Sequence, residues 1–315
     1  MKPPRIGITL GDPGGIGPEV VVKALANPGL LPKADFVIFG NSAVVDREER
    51  DLGLKLDRDD IPIEEIKNPL RVQMKGSPDA WNGRASFRYF EAAVEAARAG
   101  VIRAVVTAPV SKRSWSLAGI RWRGHTEFLE HFYPDAMMTF WSEKMTVALF
   151  SHHVSLREAV GRITRENLVK YFRVLRDNIE QSRPGKYEFL VAGLNPHAGE
   201  DGLIGSEEKD EIIPAVKKAR SAGMKIGGPY APDSVFRSAA GNPDRIVVAL
   251  YHDQGLIPFK LQAFETGVNV TLGLPFIRTS PDHGTAFDIV GEKKADARSM
   301  IEAIRLACEL KPRES

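Results

Sequence analysis

Apolar positions along this chain alternate between two textures. Short unbroken runs at residues 5–10, 35–40 (DFVIFG), 102–107 (IRAVVT), 145–151 (MTVALFS), 187–194 (YEFLVAGL), 246–251 and 268–272 have the length and branched-aliphatic content of buried strands. Between them lie segments that read as helices, at 19–26, 42–52, 84–99, 127–132, 164–181, 206–222 and 296–310. The clearest repeat their apolar residues every three to four positions: Phe87, Phe90, Val94 and Ala97 in one, Leu168, Tyr171, Phe172 and Leu175 in another. Residues 224–226 form a weaker strand candidate, and 55–77 reads as loops with one or two weak strands. Strands alternating with helices, without repeats or a low-complexity tether, predict an α/β protein with a mainly parallel sheet. A length of 315 residues calls for two domains or one large α/β unit.

Composition narrows the class of partner. A net charge of +2, from 43 basic and 41 acidic residues, offers neither a basic field for nucleic acid nor a polybasic membrane anchor. No apolar run approaches the roughly 18–20 residues that cross a bilayer. The opening MKPPRIGITLGDPGG meets glycine and proline too early for a signal-peptide core. The single cysteine, Cys308, excludes an internal disulfide and a cysteine-rich zinc site. The expectation is a cytoplasmic protein with a small-molecule ligand.

Candidate chemistry gathers where strand-like runs end, the place where open α/β proteins bind ligands. The richest stretch is 251–291, which holds His252, Lys260, Asn269, Arg278 and His283 among glycines and prolines. Three histidines follow strand runs directly: His153 after MTVALFS, His197 after FLVAGLNP and His252 after IVVALY. Three imidazoles with an open position make a catalytic zinc arrangement and also accept cobalt, iron or nickel. Alternatively, each is a strand-terminal histidine bonded to a backbone carbonyl. His152 adjoins His153, and neighbours on an extended segment face opposite sides, so at most one of the two serves a given site. Lys112 also follows a strand end, and in GHTEF Thr126 is placed to cap the helix after His125. The loop GDPGGIGP matches neither the dinucleotide fingerprint nor the P-loop, and reads equally as a structural turn or a ligand-facing loop.

In order along the chain, GDPGGIGPEV, TAPVSK, GHTEF, GLNPHAGE, YHDQGLIPFK and GVNVTLGLPFIRTSPDHGTA resemble the 4-hydroxythreonine-4-phosphate dehydrogenase (PdxA-like) family of vitamin B6 synthesis, from about residue 5 to 292. The resemblance implies a two-domain α/β fold similar to isocitrate and isopropylmalate dehydrogenases, with a cleft between the domains. Residues 1–124 plus 286–315 would form the first domain, and 125–285 the second, carrying metal and dimer contacts. It implies His153 (His152 as the alternate), His197 and His252 as ligands of a divalent metal: zinc, magnesium or cobalt. It further implies His125, Thr126, Lys260, Asn269 and Arg278 as substrate-binding residues, with His125 and Lys260 catalytic. A homodimer with shared active sites follows, in which His252, Lys260, Asn269 and Arg278 reach into the neighbouring subunit's cleft.

The implied activity is NAD- or NADP-dependent oxidation of 4-phosphohydroxy-L-threonine, with decarboxylation of the β-keto acid, in pyridoxal phosphate synthesis. The GDPGG form of the opening loop is nearer to a branch acting on four-carbon sugar-acid phosphates. 4-Phospho-D-erythronate and phosphothreonate therefore stand as alternative substrates, and a metal-dependent hydrolase or lyase as a third reading. Without a dinucleotide fingerprint the cofactor-binding residues are open; the loop after His283 and residues 267–274 are the candidates.

Overall fold

The computed structural model describes residues 3–27, 29, 31, 34–67 and 75–312. They fall into two compact units: 1–136 with 268–315, and 137–267. Residues 125–136 and 268–285, which the sequence reading placed with the second domain, cluster with the first unit.

In the first unit the strands run in the order β3 (Ile63–Glu65), β2 (Asp35–Gly40), β1 (Arg5–Thr9), β4 (Ala104–Thr107), β11 (Ile277–Pro281) and β10 (Val268–Leu272). All pairs are parallel except β10 with β11. Its helices are α1 (Gly17–Leu25), α2 (Ser42–Leu52), α3 (Ala80–Arg98), α4 (Lys112–Leu117), α5 (His125–Phe132) and α11 (Arg298–Glu309). Local chemistry sets their ends. Asn41 and Asp79 cap α2 and α3 by accepting backbone N–H groups of the first turn, and Gly53 closes α2 in the left-handed region at φ 69°. The apolar face of α3 meets strands β2 and β4 in a core of Val37, Phe39, Phe90, Val105, Trp115 and Leu129. Part of the expected weak-strand segment, residues 68–74, lies outside the described residues.

The second unit orders its strands β5 (Met137–Trp141), β6 (Thr146–Leu149), β9 (Arg245–Ala249), β7 (Glu188–Ala192) and β8 (Ile226–Tyr230). β6, β9, β7 and β8 are mutually parallel, and β5 is antiparallel to β6. Helices α6 (Leu156–Arg162), α7 (Arg165–Ser182), α8 (Ile213–Ser221), α9 (Val235–Ala239) and α10 (His252–Ala263) accompany it. Phe140, Val147, Leu190, Val247 and Phe259 share its core. The expected helix at 206–222 begins as a π-helical turn, Glu208–Ile212, before α8.

The sequence reading did not anticipate β5, β11, α4, α6, α9 or α10. The last is instructive, because Gly255 and Pro258 lie inside it and ordinarily argue against a helix.

Candidate active site

One group of predicted residues is assembled within the first unit. Strand β11 carries Arg278, flanked by β4 on one side and β10 on the other. Arg278 is only 3% exposed. It donates to Thr107 Oγ1 from Nε (3.1 Å) and Nη2 (2.8 Å), and from Nη1 to Thr271 Oγ1 (3.1 Å) and Asn269 Oδ1 (3.3 Å). Nη2 also lies 3.2 Å from His125 Nδ1. These partners are all uncharged, so the guanidinium is buried with its hydrogen bonds made and its charge unanswered at contact distance. Burial pushes its pKa down to about 10, opposed by the carboxylate of Glu127.

His125 opens α5 and packs against Phe90, with ring centroids 4.5 Å apart, and edge-on to Trp115 at 5.5 Å. Burial, reinforced by the charge of Arg278, holds its imidazole well below the ordinary value of 6.5, so it is neutral at neutral pH. Because Nδ1 accepts from Arg278, the ring proton resides on Nε2, a buried donor that has no hydrogen-bond partner among the described residues. An unsatisfied donor beside an uncompensated cation is an arrangement that an anionic oxygen would complete.

Thr126 is buried beside His125 but is not the cap expected for α5; Gly124 holds that position without a side-chain bond. A Cβ placed on Gly124 would lie 3.7 Å from Lys112 Cε, which puts the predicted Lys112 at the same helix start. Within the chain, Asn269 and Arg278 are bonded to each other, and Arg278 to Thr107, where β10 and β11 form a hairpin beside β4.

The second group lies at one edge of the second unit. β6, β9 and β7 are adjacent and parallel, so their C-terminal ends share an edge with β9 in the centre. His153, His252 and His197 follow those three ends. His153 and His252 approach with ring centroids 5.8 Å apart and planes tilted by 36°. They line a cavity of about 280 Å³ together with Ser151, His152, Tyr251 and Asp253. His252 Nδ1 lies 2.7 Å from Asp253 Oδ1, which fixes the ring and turns Nε2 outward for another partner.

The premise of an extended segment at His152–His153 does not hold. His153 takes φ 47°, and the two rings stand perpendicular at 5.1 Å, both facing the cavity. His197 begins five successive residues with left-handed backbone, from His197 (φ 53°) to Asp201 (φ 55°). Among the described residues no three His, Cys, Asp or Glu side chains stand close enough together to hold an ion. The three imidazoles suit a divalent cation in kind and lie along a common edge, but in this arrangement they do not close around one point. Two of them converge, and the third stands on the adjoining strand end. Lys260 lies further along α10, its Nζ 5.9 Å from the ring of Phe264.

Two loops named in the sequence reading meet: Ile16 N–H donates to Thr285 O at 3.0 Å, and a Cβ on Gly15 would lie 2.9 Å from that same oxygen. The opening loop also buries Asp12, whose Oδ1 accepts Gly14 N–H at 2.9 Å and whose carboxyl burial raises to about 6. Sequence reasoning missed the roles of Thr107 and Thr271. The signal was faint: in strands, threonine is expected for its branched shape alone.

Against this geometry the relatives can be compared. The family model described as pyridoxal phosphate biosynthetic protein PdxA matches residues 26–307. A 4-hydroxythreonine-4-phosphate dehydrogenase of Aquifex aeolicus is 40% identical over 318 residues, covering 97% of this chain and 98% of its own. A putative D-threonate 4-phosphate dehydrogenase of Symbiobacterium thermophilum is 39% identical, covering 97% and 96%. The crystal structure of 4-hydroxythreonine-4-phosphate dehydrogenase from Klebsiella pneumoniae superposes with a TM-score of 0.83 at 36% identity, over 98% of both chains. A β-decarboxylating dehydrogenase of Thermococcus kodakarensis, 14% identical with a TM-score of 0.51 over 96% of this chain and 82% of its own, shares the fold. With matches that run nearly end to end, this chain belongs to the PdxA family.

Proposed function

We propose that the protein oxidises 4-phosphohydroxy-L-threonine with NAD or NADP and a divalent cation, the β-keto acid product losing carbon dioxide, in pyridoxal phosphate synthesis. The observation that carries the reading is the buried Arg278, whose hydrogen-bond partners are all neutral: it is built to receive an anionic group. Arg278 offers its planar fork to an anionic oxygen that takes the place of one of its neutral acceptors, and Lys260 acts as a point charge for a second anionic group. His125 orients the substrate by donating from Nε2, and its neutrality leaves it able to accept a proton in turn. His153, His197 and His252 would hold the cation, with His252 oriented by Asp253. When bound, the cation supplies Lewis acidity at the reacting alcohol, and the nicotinamide takes the hydride.

The test is reduced-nicotinamide formation by metal-loaded protein with 4-phosphohydroxy-L-threonine, D-threonate 4-phosphate and 4-phospho-D-erythronate, each with and without chelator. Chelator-sensitive turnover of the first is expected. Turnover of a sugar-acid phosphate alone would establish the second reading, which the GDPGG loop and the 39% identical Symbiobacterium relative favour. No reduction with any substrate sinks both and brings forward a metal-dependent hydrolase or lyase.

The reading includes a cytoplasmic homodimer. Ile257, Leu261 and Phe264 project from one face of α10 and are 60%, 83% and 63% exposed. Three large apolar side chains at helical spacing call for a cover, here a second copy of the chain. Among the described residues no helix is long and apolar enough to cross a membrane. Leu261→Glu should shift the sedimenting species from dimer to monomer; an unchanged dimer would place the interface elsewhere.

A further inference from the structure

We infer that Gln254, with Ser151 and Glu208, forms a buried hydrogen-bonded relay that fixes the three histidine-bearing strand ends relative to one another. Gln254 and Glu208 are then positioning residues for His252 and His197. The inference rests on the metal-site reading above for its purpose, and on the following geometry for its existence.

Gln254 lies in the first turn of α10 and is 8% exposed. Its Oε1 accepts Leu250 N–H at 2.7 Å, at the end of β9 and just before His252. Its Nε2 donates to Gly193 O at 2.7 Å, at the end of β7 and just before the His197 turn. One buried amide thus ties two adjacent strand ends, using its donor on one and its acceptor on the other. On the far side of β9, Ser151 Oγ donates to Leu250 O at 2.8 Å, drawing the His152–His153 segment onto the same residue. Leu250 is therefore held through both its N–H and its carbonyl.

Glu208 completes the relay. It is 3% exposed and receives no lysine or arginine ion pair among the described residues. Oε1 accepts the N–H groups of Leu194 and Asn195 at 2.7 Å each, and Oε2 accepts Asn195 Nδ2 at 2.8 Å. A Cβ on Gly199 would lie 2.8 Å from Oε2, so the carboxylate fills the space at the centre of the turn. That turn needs such support. His197, Ala198, Glu200 and Asp201 all hold left-handed backbone, which is costly for residues with a Cβ and persists only when the surroundings impose it. A buried carboxylate whose partners are backbone N–H groups and an amide supplies that constraint, and Gln254 sets where the constrained turn stands relative to His252. Groups that orient ligands without touching the ion are a recognised requirement of metal sites.

The experiment uses the full-length metal-free protein and Co²⁺ alone as the probe. Wild type is compared with Gln254→Leu, Glu208→Gln and the milder Ser151→Ala, all checked for a cooperative unfolding transition. The expected result is Co²⁺ affinity about 10–100-fold lower in Gln254→Leu and Glu208→Gln, with a smaller loss in Ser151→Ala. The visible spectrum of bound Co²⁺ should also change, and deuterium uptake over residues 193–203 should accelerate before Co²⁺ is added. Wild-type affinity, spectrum and uptake in Gln254→Leu would overturn the relay. Should wild type itself take up no Co²⁺, the metal-site reading falls, and uptake decides alone: faster exchange in Gln254→Leu upholds the relay, and unchanged exchange removes it.

Discussion

Around Arg278 each hydrogen-bonding group of the guanidinium already has its acceptor, whereas at the histidine edge the side chains of interest have their supports but not one another. The arginine cluster sits on three paired strands, excludes water and keeps a charge that nothing in contact neutralises. The histidines sit beyond strand ends, on a helix start and on backbone held in the left-handed region, with His153 and His252 bordering an open cavity. The first arrangement is rigid and lacks only a counter-charge. In the second, the placing of the donors is set indirectly, by loops and by the buried groups behind them. A reaction needing one fixed anchor and one electrophilic centre would use both kinds of construction.

The largest effect should come from breaking the anchor. In Arg278→Met, substrate binding should weaken by about 2–5 kcal/mol, the range for removing one partner of a desolvated charge pair. Resting stability should change less, by about 1–3 kcal/mol, because losing a costly buried charge partly offsets the hydroxyl, amide and imidazole acceptors left unpaired. Denaturant titration beside a substrate titration separates the two. A protein that loses stability but binds substrate normally would make Arg278 a structural residue and dissolve the contrast drawn above.

The next test asks whether the two regions, if they serve the one reaction proposed above, come from one copy of the chain. Arg278→Met and His252→Ala are each expected to be inactive. If one copy's arginine cluster works with the other's histidine edge, co-refolded mixtures should recover about one quarter of wild-type turnover. Random pairing makes half the dimers mixed, each with one intact site. Pairing His153→Ala with His252→Ala should recover nothing, since those rings lie in one pocket of one chain. Recovery in that second mixture alone would reverse the assignment.

How much of this was visible in the sequence depends on which forces shaped each part. Strands β1, β2, β4, β6, β7, β9 and β10 were legible because burial on both faces writes them as continuous apolar runs. The placing of His153, His197 and His252 after strands followed from the same runs. Helix α10 was not legible: Gly255 and Pro258 interrupt it, and the outward-facing Ile257, Leu261 and Phe264 mask the inward stripe of Leu256, Phe259 and Ala263. The left-handed turn at His197 was hidden for a related reason. A buried carboxylate from a later segment, Glu208, sustains it, and four of its five residues are types that seldom adopt that conformation unaided. The meeting of His125 with Arg278 depends on strand β11, whose IRTSP sequence has too few apolar positions to stand out.

The smallest effects, and the most diagnostic of the arginine cluster's dryness, should appear in the pH dependence of stability. His125 is neutral in the fold well below its ordinary pKa of 6.5. Below pH 6.5 the unfolded chain takes up a proton that the folded chain refuses. Its contribution is therefore present above pH 6.5 and declines as pH falls, by up to about 1.4 kcal/mol per pH unit down to the folded pKa. Asp12 acts in the opposite sense. Burial raises its carboxyl from 3.8 to about 6, so the folded state holds the proton that the unfolded chain releases. Stability consequently falls as pH rises from about 4 to about 6, by at most about 3 kcal/mol. In wild type the two slopes oppose each other over that interval. Denaturant midpoints measured from pH 4 to 8 should steepen on the acid side in Asp12→Asn relative to wild type, where the carboxyl no longer opposes the histidine slope. In His125→Gln the profile should lose the histidine slope and fall more with rising pH than in wild type. Parallel profiles for wild type and His125→Gln would mean that the imidazole titrates normally, and that the cluster around Arg278 admits water.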